Sequence, residues 1–303
     1  MHNMQEANFS TYIRDITAIT GWTHAELAAR LGVHTVTVSG WLHGRSLPRR
    51  FILHDLAFLH TCFFFPAKLS SDETAHLLAI PCTADTILAN TNRHREFLVA
   101  ATYHSLALDL HPLTINQVRG LVTSDHPCRT LPLSEQILIK NHAATLDYLL
   151  HTLSHQGASF HITPELIREL HLRLFSSLTF EAGVYRQAAS RLPGLGHFTT
   201  HLPALAREFT ATTKDPFQTI TATHAAFCQL LPFATGTHLT ARLLLIAACL
   251  YHELVPPIIT TTNKNLYRTA LTTYAQTQDL AFLRDIITGG SIFTRTLLFP
   301  ENS

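Results

Sequence analysis

Leu231-Pro232-Phe233-Ala234-Thr235-Gly236-Thr237-His238-Leu239-Thr240-Ala241-Arg242 reads as a turn that opens straight into a helix. Apart from Arg242, the residues from Ala241 to Leu250 are apolar all round, which predicts a central helix buried on every side. A helix buried so fully needs other helices around it, and they are legible upstream. Ser134 to His151 repeats Ile137, Leu146, Leu149 and Leu150 at helical spacing. Thr163-Pro164-Glu165 sets a cap before a proline at the first helical position. The helix it starts carries Leu166, Ile167, Leu170, Leu174 and Phe175 on its expected buried side. No run of alternating strands interrupts this pattern, so the expected fold is all-α.

The chain has 303 residues, enough for one large or two modest domains, and its 46% apolar content can fill a sizeable core. A net charge of +1 excludes a strongly basic coat, so any nucleic-acid contact needs a local patch. The 21 histidines are scattered and form no H-E-x-x-H or paired Cys/His cluster, so they read as ordinary polar positions and no metal site is expected. Five separated cysteines without C-x-x-C fit a reducing, cytoplasmic setting. The first residues lack the basic-then-apolar order of a signal peptide. Phe58 to Phe65, broken by His60 and Thr61, is too short to span a bilayer, and Phe63-Phe64-Phe65 is expected as buried packing.

Nearer the start, Thr23 and Glu26 form a T-x-x-E capping box ahead of a helix over Ala25–Leu31, with Leu27, Ala28 and Leu31 on one face. Gly32 supplies a tight turn, and a second helix over His34–Trp41 turns Val38 and Trp41 inward. This helix, glycine turn and helix has the spacing of a DNA-binding helix-turn-helix. The stretch A-E-L-A-A-R-L-G-V resembles the repressor-type helix-turn-helix family. By position, Thr35, Val36, Ser39 and Gly40 would then face base edges, and Arg45, Arg49 and Arg50 would neutralise phosphates. The alternative is a helical module used for packing or dimerisation.

Several later segments, in order, resemble the Fic (Fic/DOC) family, an all-α domain with a small β-hairpin flap. T-P-E-L-I-R-E-L-H-L-R-L-F from Thr163 is similar to an early core helix of that family, and A-G-V-Y-R from Ala182 to the segment leading into its flap. L-P-F-A-T-G-T-H-L-T-A-R from Leu231 aligns without gaps to its H-P-F-x-D/E-G-N-G-R-x-x-R loop. V-P-P-I-I from Val255 and a helix over Tyr267–Ile286 resemble its C-terminal end. The resemblance implies transfer of AMP from ATP to a protein hydroxyl, with ATP and Mg²⁺ as the family's cofactors. The base position of that loop is Leu231 here, which cannot accept a proton. The metal-holding carboxylate is replaced by Thr235, and the first arginine by Leu239. Thr237 and His238 stand for Asn and the second Gly, where a Cβ is expected to clash or force a strained φ. Gly236 and Arg242 are kept, Arg242 as a core salt bridge or as a remnant phosphate contact. His238 or His224 could stand in for the base without restoring a Mg²⁺ site. The loop therefore reads as degenerate, with no catalytic residue intact and no cofactor expected.

Tyr103 to Thr114 resembles the family's inhibitory helix, S/T-x-x-x-E-G/N, with Ser105 in place, Asp109 for Glu and Leu110 for Gly. The family's Glu pairs with the loop's first arginine, here Leu239, so the resemblance implies that both halves of the pair have decayed. The alternative is that Ser105 and Asp109 simply cap or decorate a surface helix. Together these readings give a helix-turn-helix domain at 1–55, a helical connector at 56–94, a Fic-like domain at 95–290 and a tail at 291–303. They point to a DNA-binding transcriptional regulator with an inactive Fic-like domain, with DNA, a second copy in a homodimer, or a protein as partners and no membrane. Two alternatives stay open: an adenylyltransferase with a non-standard site, and an interaction scaffold.

Overall fold

The structure, a computed structural model, describes residues 9–49, 52–53, 55–57, 59–60, 80–109, 113–124, 127–186 and 198–300. The expectations for Arg50, Phe63–Phe65, Leu110 and the hairpin flap after Arg186 lie outside these residues. Among the described residues the regular elements are helices, with no strand. Two compact units are formed, Met1–Ala79 with Ile259–Gly289, and Ile80–Ile258 with Gly290–Ser303. Residues 259–289, read from sequence as the end of the main domain, thus fall with the N-terminal residues.

In the first unit, α1 (Phe9–Thr20) buries Ile13 and Ile16. The α2 helix (His24–Arg30) starts with the full capping box: Thr23 Oγ1 accepts from the Glu26 N–H, and the Glu26 carboxylate accepts from the Thr23 N–H at 2.7 Å. Gly32 makes the turn at φ +65°, a conformation that would strain a residue with a side chain. The next helix, α3 (Thr35–Leu42), is N-capped by His34 and buries Val38 and Trp41 against Leu27, Ala28 and Leu31, all of them core residues. Helical residues between 52 and 60 add Ile52, Leu56 and Leu59 to the core. The Arg30 guanidinium lies 3.9 Å over the Trp22 ring, which meets Phe282 edge-on.

The second unit contains α4 (Ala84–Leu88), α5 (Thr91–Asp109), α6 (Ile115–Thr123), α7 (Leu133–Gln156), α8 (Pro164–Phe175), α9 (Phe198–Glu208), α10 (Pro216–Leu230) and α11 (Thr237–Tyr251). Every residue of α11 from Leu239 to Leu250 is buried, as its apolar sequence predicts. Helices α5, α7, α8 and α10 pack around it. The α7 helix is longer than its sequence pattern suggests, and its inner face runs through Leu138, Ile139, His142, Leu146 and Leu149, leaving Ile137 only half-buried. Thr114, read as part of an inhibitory motif, instead caps α6 through a reciprocal bond with Gln117.

Two expectations are corrected at the C-terminal end. The helix expected over Tyr267–Ile286 is two helices, α12 (Lys264–Thr277) and α13 (Ala281–Leu298). Gln278 breaks them in the left-handed region at φ +58°, and Asp279 Oδ1 accepts from the Ala281 N–H to start α13. Neither glycine nor proline marks the break, so it was silent in the sequence. The expected tail is helical through Leu298, with Ser291 and Thr294 buried; Thr294 Oγ1 accepts from the Ile258 N–H at 3.1 Å.

Burial sets opposite proton linkages in the two units. In the second unit it holds His104 at about 4, and His142 and His224 at about 3, below the usual histidine value. In the first it raises the Asp55 and Asp285 carboxyls to about 7. Between pH 4 and 6.5, the unfolded histidines take up protons that the folded ones refuse, so acidification destabilises the second unit. Over the same window the folded Asp55 and Asp285 hold protons that the unfolded chain has lost, so acidification stabilises the first. Each group contributes up to ~1.4 kcal/mol per pH unit. Both tryptophans, Trp22 and Trp41, lie in the first unit. Lowering the pH from about 7 to about 5 is therefore expected to lower the thermal midpoint read by helical circular dichroism without lowering that read by tryptophan emission. Midpoints that fall together would contradict this.

Candidate functional site

The loop between α10 and α11 is fixed from both ends. Asp215 caps α10 by accepting from the Gln218 N–H at 2.9 Å, with Pro216 in the first turn. The helix ends at Leu231, held in the left-handed region at φ +46° and ψ +58°, which a non-glycine residue adopts only under constraint. The constraint is visible on the next residues. Pro232 O accepts from the Arg186 N–H at 2.8 Å, and Leu230 O accepts from the Arg186 guanidinium at 3.2 Å.

Phe233 is the loop's apolar anchor and is buried. The His171 ring stacks on one side of it at 3.7 Å and 6°, and the Tyr185 ring lies 5.0 Å away at 20°. His171 is itself tied at both nitrogens: Nδ1 accepts from the Gly183 N–H at 2.9 Å, which leaves the proton on Nε2 to donate to Thr235 O at 3.0 Å. Burial lowers its pKa, partly offset by the Thr235 carbonyl, and keeps it in this neutral tautomer. The sequence reading missed His171, because a lone histidine on an apolar helix face has no motif around it.

At the helix start, Gly236 has φ +73°, and a Cβ there would lie 2.1 Å from the Phe175 ring. Its retention is thus explained by close packing. Thr237 is buried, and its hydroxyl exchanges bonds of 3.3 Å with the Phe233 N–H and C=O, so this side chain closes the loop on itself. His238 lies within the first turn of α11 and has no left-handed backbone, so the expected strain at this position does not occur. Leu239 is a core residue, and the Thr235 side chain is exposed. His224 is fully buried, with Nδ1 donating to Ala241 O at 3.2 Å, which removes it as a replacement base at the loop.

Arg242 is the charge at the centre of the domain, 5% exposed. Its Nε donates to Ser105 Oγ and its Nη2 to Ser105 O, both at 2.9 Å, and Nη2 also donates to Asp109 Oδ2. The expectation that Asp109 has lost its partner is therefore corrected: α5 and α11 are joined through Arg242. Of the alternatives for Arg242, the structure has the core salt bridge. His142, which bonds Thr102 Oγ1 at 3.1 Å, and His224 flank the pair, and burial and then the Arg242 charge hold both neutral.

Residues 161–249 match the Fic/DOC family. This segment is a Fic domain. No curated protein matches the chain. The helical fold is similar to that of Fic-1 (residues 134–508) from C. elegans, at TM-score 0.65 and 16% identity, covering 96% of this chain and 98% of that one. It is also similar to a Fic domain-containing signaling protein from Bacteroides thetaiotaomicron, at TM-score 0.57 and 17% identity over 77% of this chain and 93% of that one. A Fic family protein from Desulfovibrio desulfuricans matches at TM-score 0.56 and 16% identity over 85% and 77%.

The residues of the Fic loop do not fit ATP with Mg²⁺. The loop from Leu231 to Arg242 carries no carboxylate to hold the ion, Leu239 offers no charge to a phosphate, and Arg242 is already engaged. Among the described residues no group of three or more His, Cys, Asp or Glu side chains could hold a metal. What the loop's polar groups do instead is hold one another.

If the Arg242–Asp109 contact sustains the fold, Asp109→Ala will leave a buried guanidinium without its carboxylate. The expected cost is about 2 kcal/mol in urea unfolding, discounted because about a third of the Asp109 side chain stays in water. Arg242→Met combined with Asp109→Leu is expected to recover most of it. An unchanged midpoint for Asp109→Ala would contradict this role.

Proposed function

We propose that this Fic-domain protein is a DNA-binding regulator in which the Fic domain serves as a folded scaffold and performs no AMP transfer. The observation that carries the DNA reading is the arrangement of α2, the Gly32 turn and α3. Thr35 and Val36 are exposed on the first turn of α3, with Val36 72% exposed, while Val38 and Trp41 hold the opposite face in the core. A recognition helix presents its N-terminal residues to base edges in this way. Ser39 is partly exposed on the same side, and Arg45 and Arg49 are exposed just beyond the helix.

Gly40 takes a different part from the one expected of it. A Cβ at this position would lie 3.0 Å from Ser46 Oγ, and its carbonyl accepts from the Arg45 N–H at 2.8 Å. Gly40 thus lets the chain fold back after α3 and present Arg45. In this proposal a homodimer would read two half-sites about one helical turn apart. The absence of transfer follows from Leu231, Thr235 and Leu239 in place of base, metal ligand and phosphate partner. A second reading, binding of a protein partner, is favoured by Leu172, Phe180 and Val184, apolar side chains exposed on the Fic-domain unit.

DNA binding is tested by fluorescence anisotropy against a library of duplexes across salt. The proposal expects affinity that falls steeply with salt, and a log–log slope that is shallower by about 1 in Arg45→Ala or Arg49→Ala. Val36→Glu is expected to abolish sequence preference while helix content stays intact. Absence of salt-dependent binding to every duplex would contradict it.

A further inference from the structure

Val38 and Trp41 turn the inner face of α3 into the core of the first unit. At 3.6 residues per turn, the residues opposite them are Val36, Ser39, Gly40 and the C-cap His43. Gly40 has no side chain to offer. Ser39 is only partly exposed, and His43 Nδ1 donates to Ser39 O at 2.7 Å, which draws the ring back onto its own helix. Val36 stands in the first turn of this outward stripe and is 72% exposed. The leading group on the stripe is therefore an isopropyl group in water.

The side chains that α3 lacks narrow its chemistry further. Thr35 to Leu42 contain no Arg, Lys, Asn, Gln, Asp or Glu. Those are the side chains that read guanine, adenine or cytosine by hydrogen bonds in the major groove. The hydroxyls of Thr35 and Ser39 can bond to donors or acceptors and discriminate little. The base-edge group that an aliphatic side chain recognises is the C5-methyl of thymine, which no other base presents. The surroundings suit a polyanion: no Asp or Glu occurs between Glu26 and Asp55, and Arg45 and Arg49 are exposed just after the helix.

We propose that Val36 reads thymine, packing its methyl groups against the C5-methyl in the major groove, so that this chain selects a thymine where α3 meets the duplex. The inference rests on the DNA reading above and adds what that reading leaves open, the base chemistry recognised. Arg45 and Arg49 hold any sequence through its phosphates, and Val36 supplies the discrimination. Removing the thymine methyl from this contact is expected to weaken binding about fourfold.

The test uses the full chain to select duplexes from a randomised library. The selected duplex is then remade with each thymine in turn replaced by deoxyuridine, which removes the methyl and keeps the base pairing. The expected result is at least one thymine whose replacement weakens binding about fourfold while the salt slope is unchanged. Val36→Ala, which places a good helix former at an exposed position, is expected to bind the thymine and deoxyuridine duplexes alike. Val36→Ile is expected to keep the discrimination. The proposal is overturned if no thymine in the selected duplex is sensitive to replacement, or if Val36→Ala discriminates as the parent does. Salt-dependent binding with no sequence selected also overturns it, and leaves the DNA reading standing. Absence of salt-dependent binding to every duplex overturns both, so the two failures are distinguished.

Discussion

A guanidinium keeps its proton under any condition a folded protein meets, and Arg242 carries one into the middle of a helical domain. Burying that charge is costly unless a carboxylate and further acceptors surround it. Ser105 supplies a hydroxyl and a carbonyl, and Asp109 supplies the negative charge. The central helix and α5 are held in one register by this requirement. The same charge also acts on its neighbours: His142 and His224, already out of water, are pushed further toward the neutral form. A short polar set inside an apolar bundle thus fixes which helices meet and in what protonation state.

The loop ahead of α11 obeys a second constraint that acts together with the first. Phe233 must be buried to seat the loop, and His171 provides both the surface it stacks on and the hydrogen bonds that hold the surrounding backbone. Gly236 yields its side-chain space to Phe175. In this arrangement the polar atoms near the helix start are satisfied by the protein's own backbone. A loop built this way is held in shape by the chain's own side chains and backbone.

The helices were legible in the sequence wherever apolar spacing was long and caps were explicit. The capping box at Thr23 and Glu26, the Thr163–Pro164 start and the apolar run of α11 after Arg242 belong to this group. The break at Gln278 was not legible, because no glycine or proline announces it and the chain reverses through a left-handed glutamine. Within the site, the loop residues could be named from their order, but their partners could not. Asp109 and Arg242 are 133 positions apart, and only the packing of α5 on α11 brings them together. His171 was invisible for a related reason: its role comes from two backbone groups that the sequence does not encode in any local pattern.

The central claim is that this loop, with Leu231, Thr235 and Leu239 in place of base, metal ligand and phosphate partner and with Arg242 held by Ser105 and Asp109, does not take up a nucleotide. Calorimetric titration of ATP with Mg²⁺ into the full chain tests it most directly. The account predicts no saturable heat at millimolar nucleotide. A one-to-one isotherm with a dissociation constant below about 1 mM, roughly −4 kcal/mol of binding free energy, would contradict it.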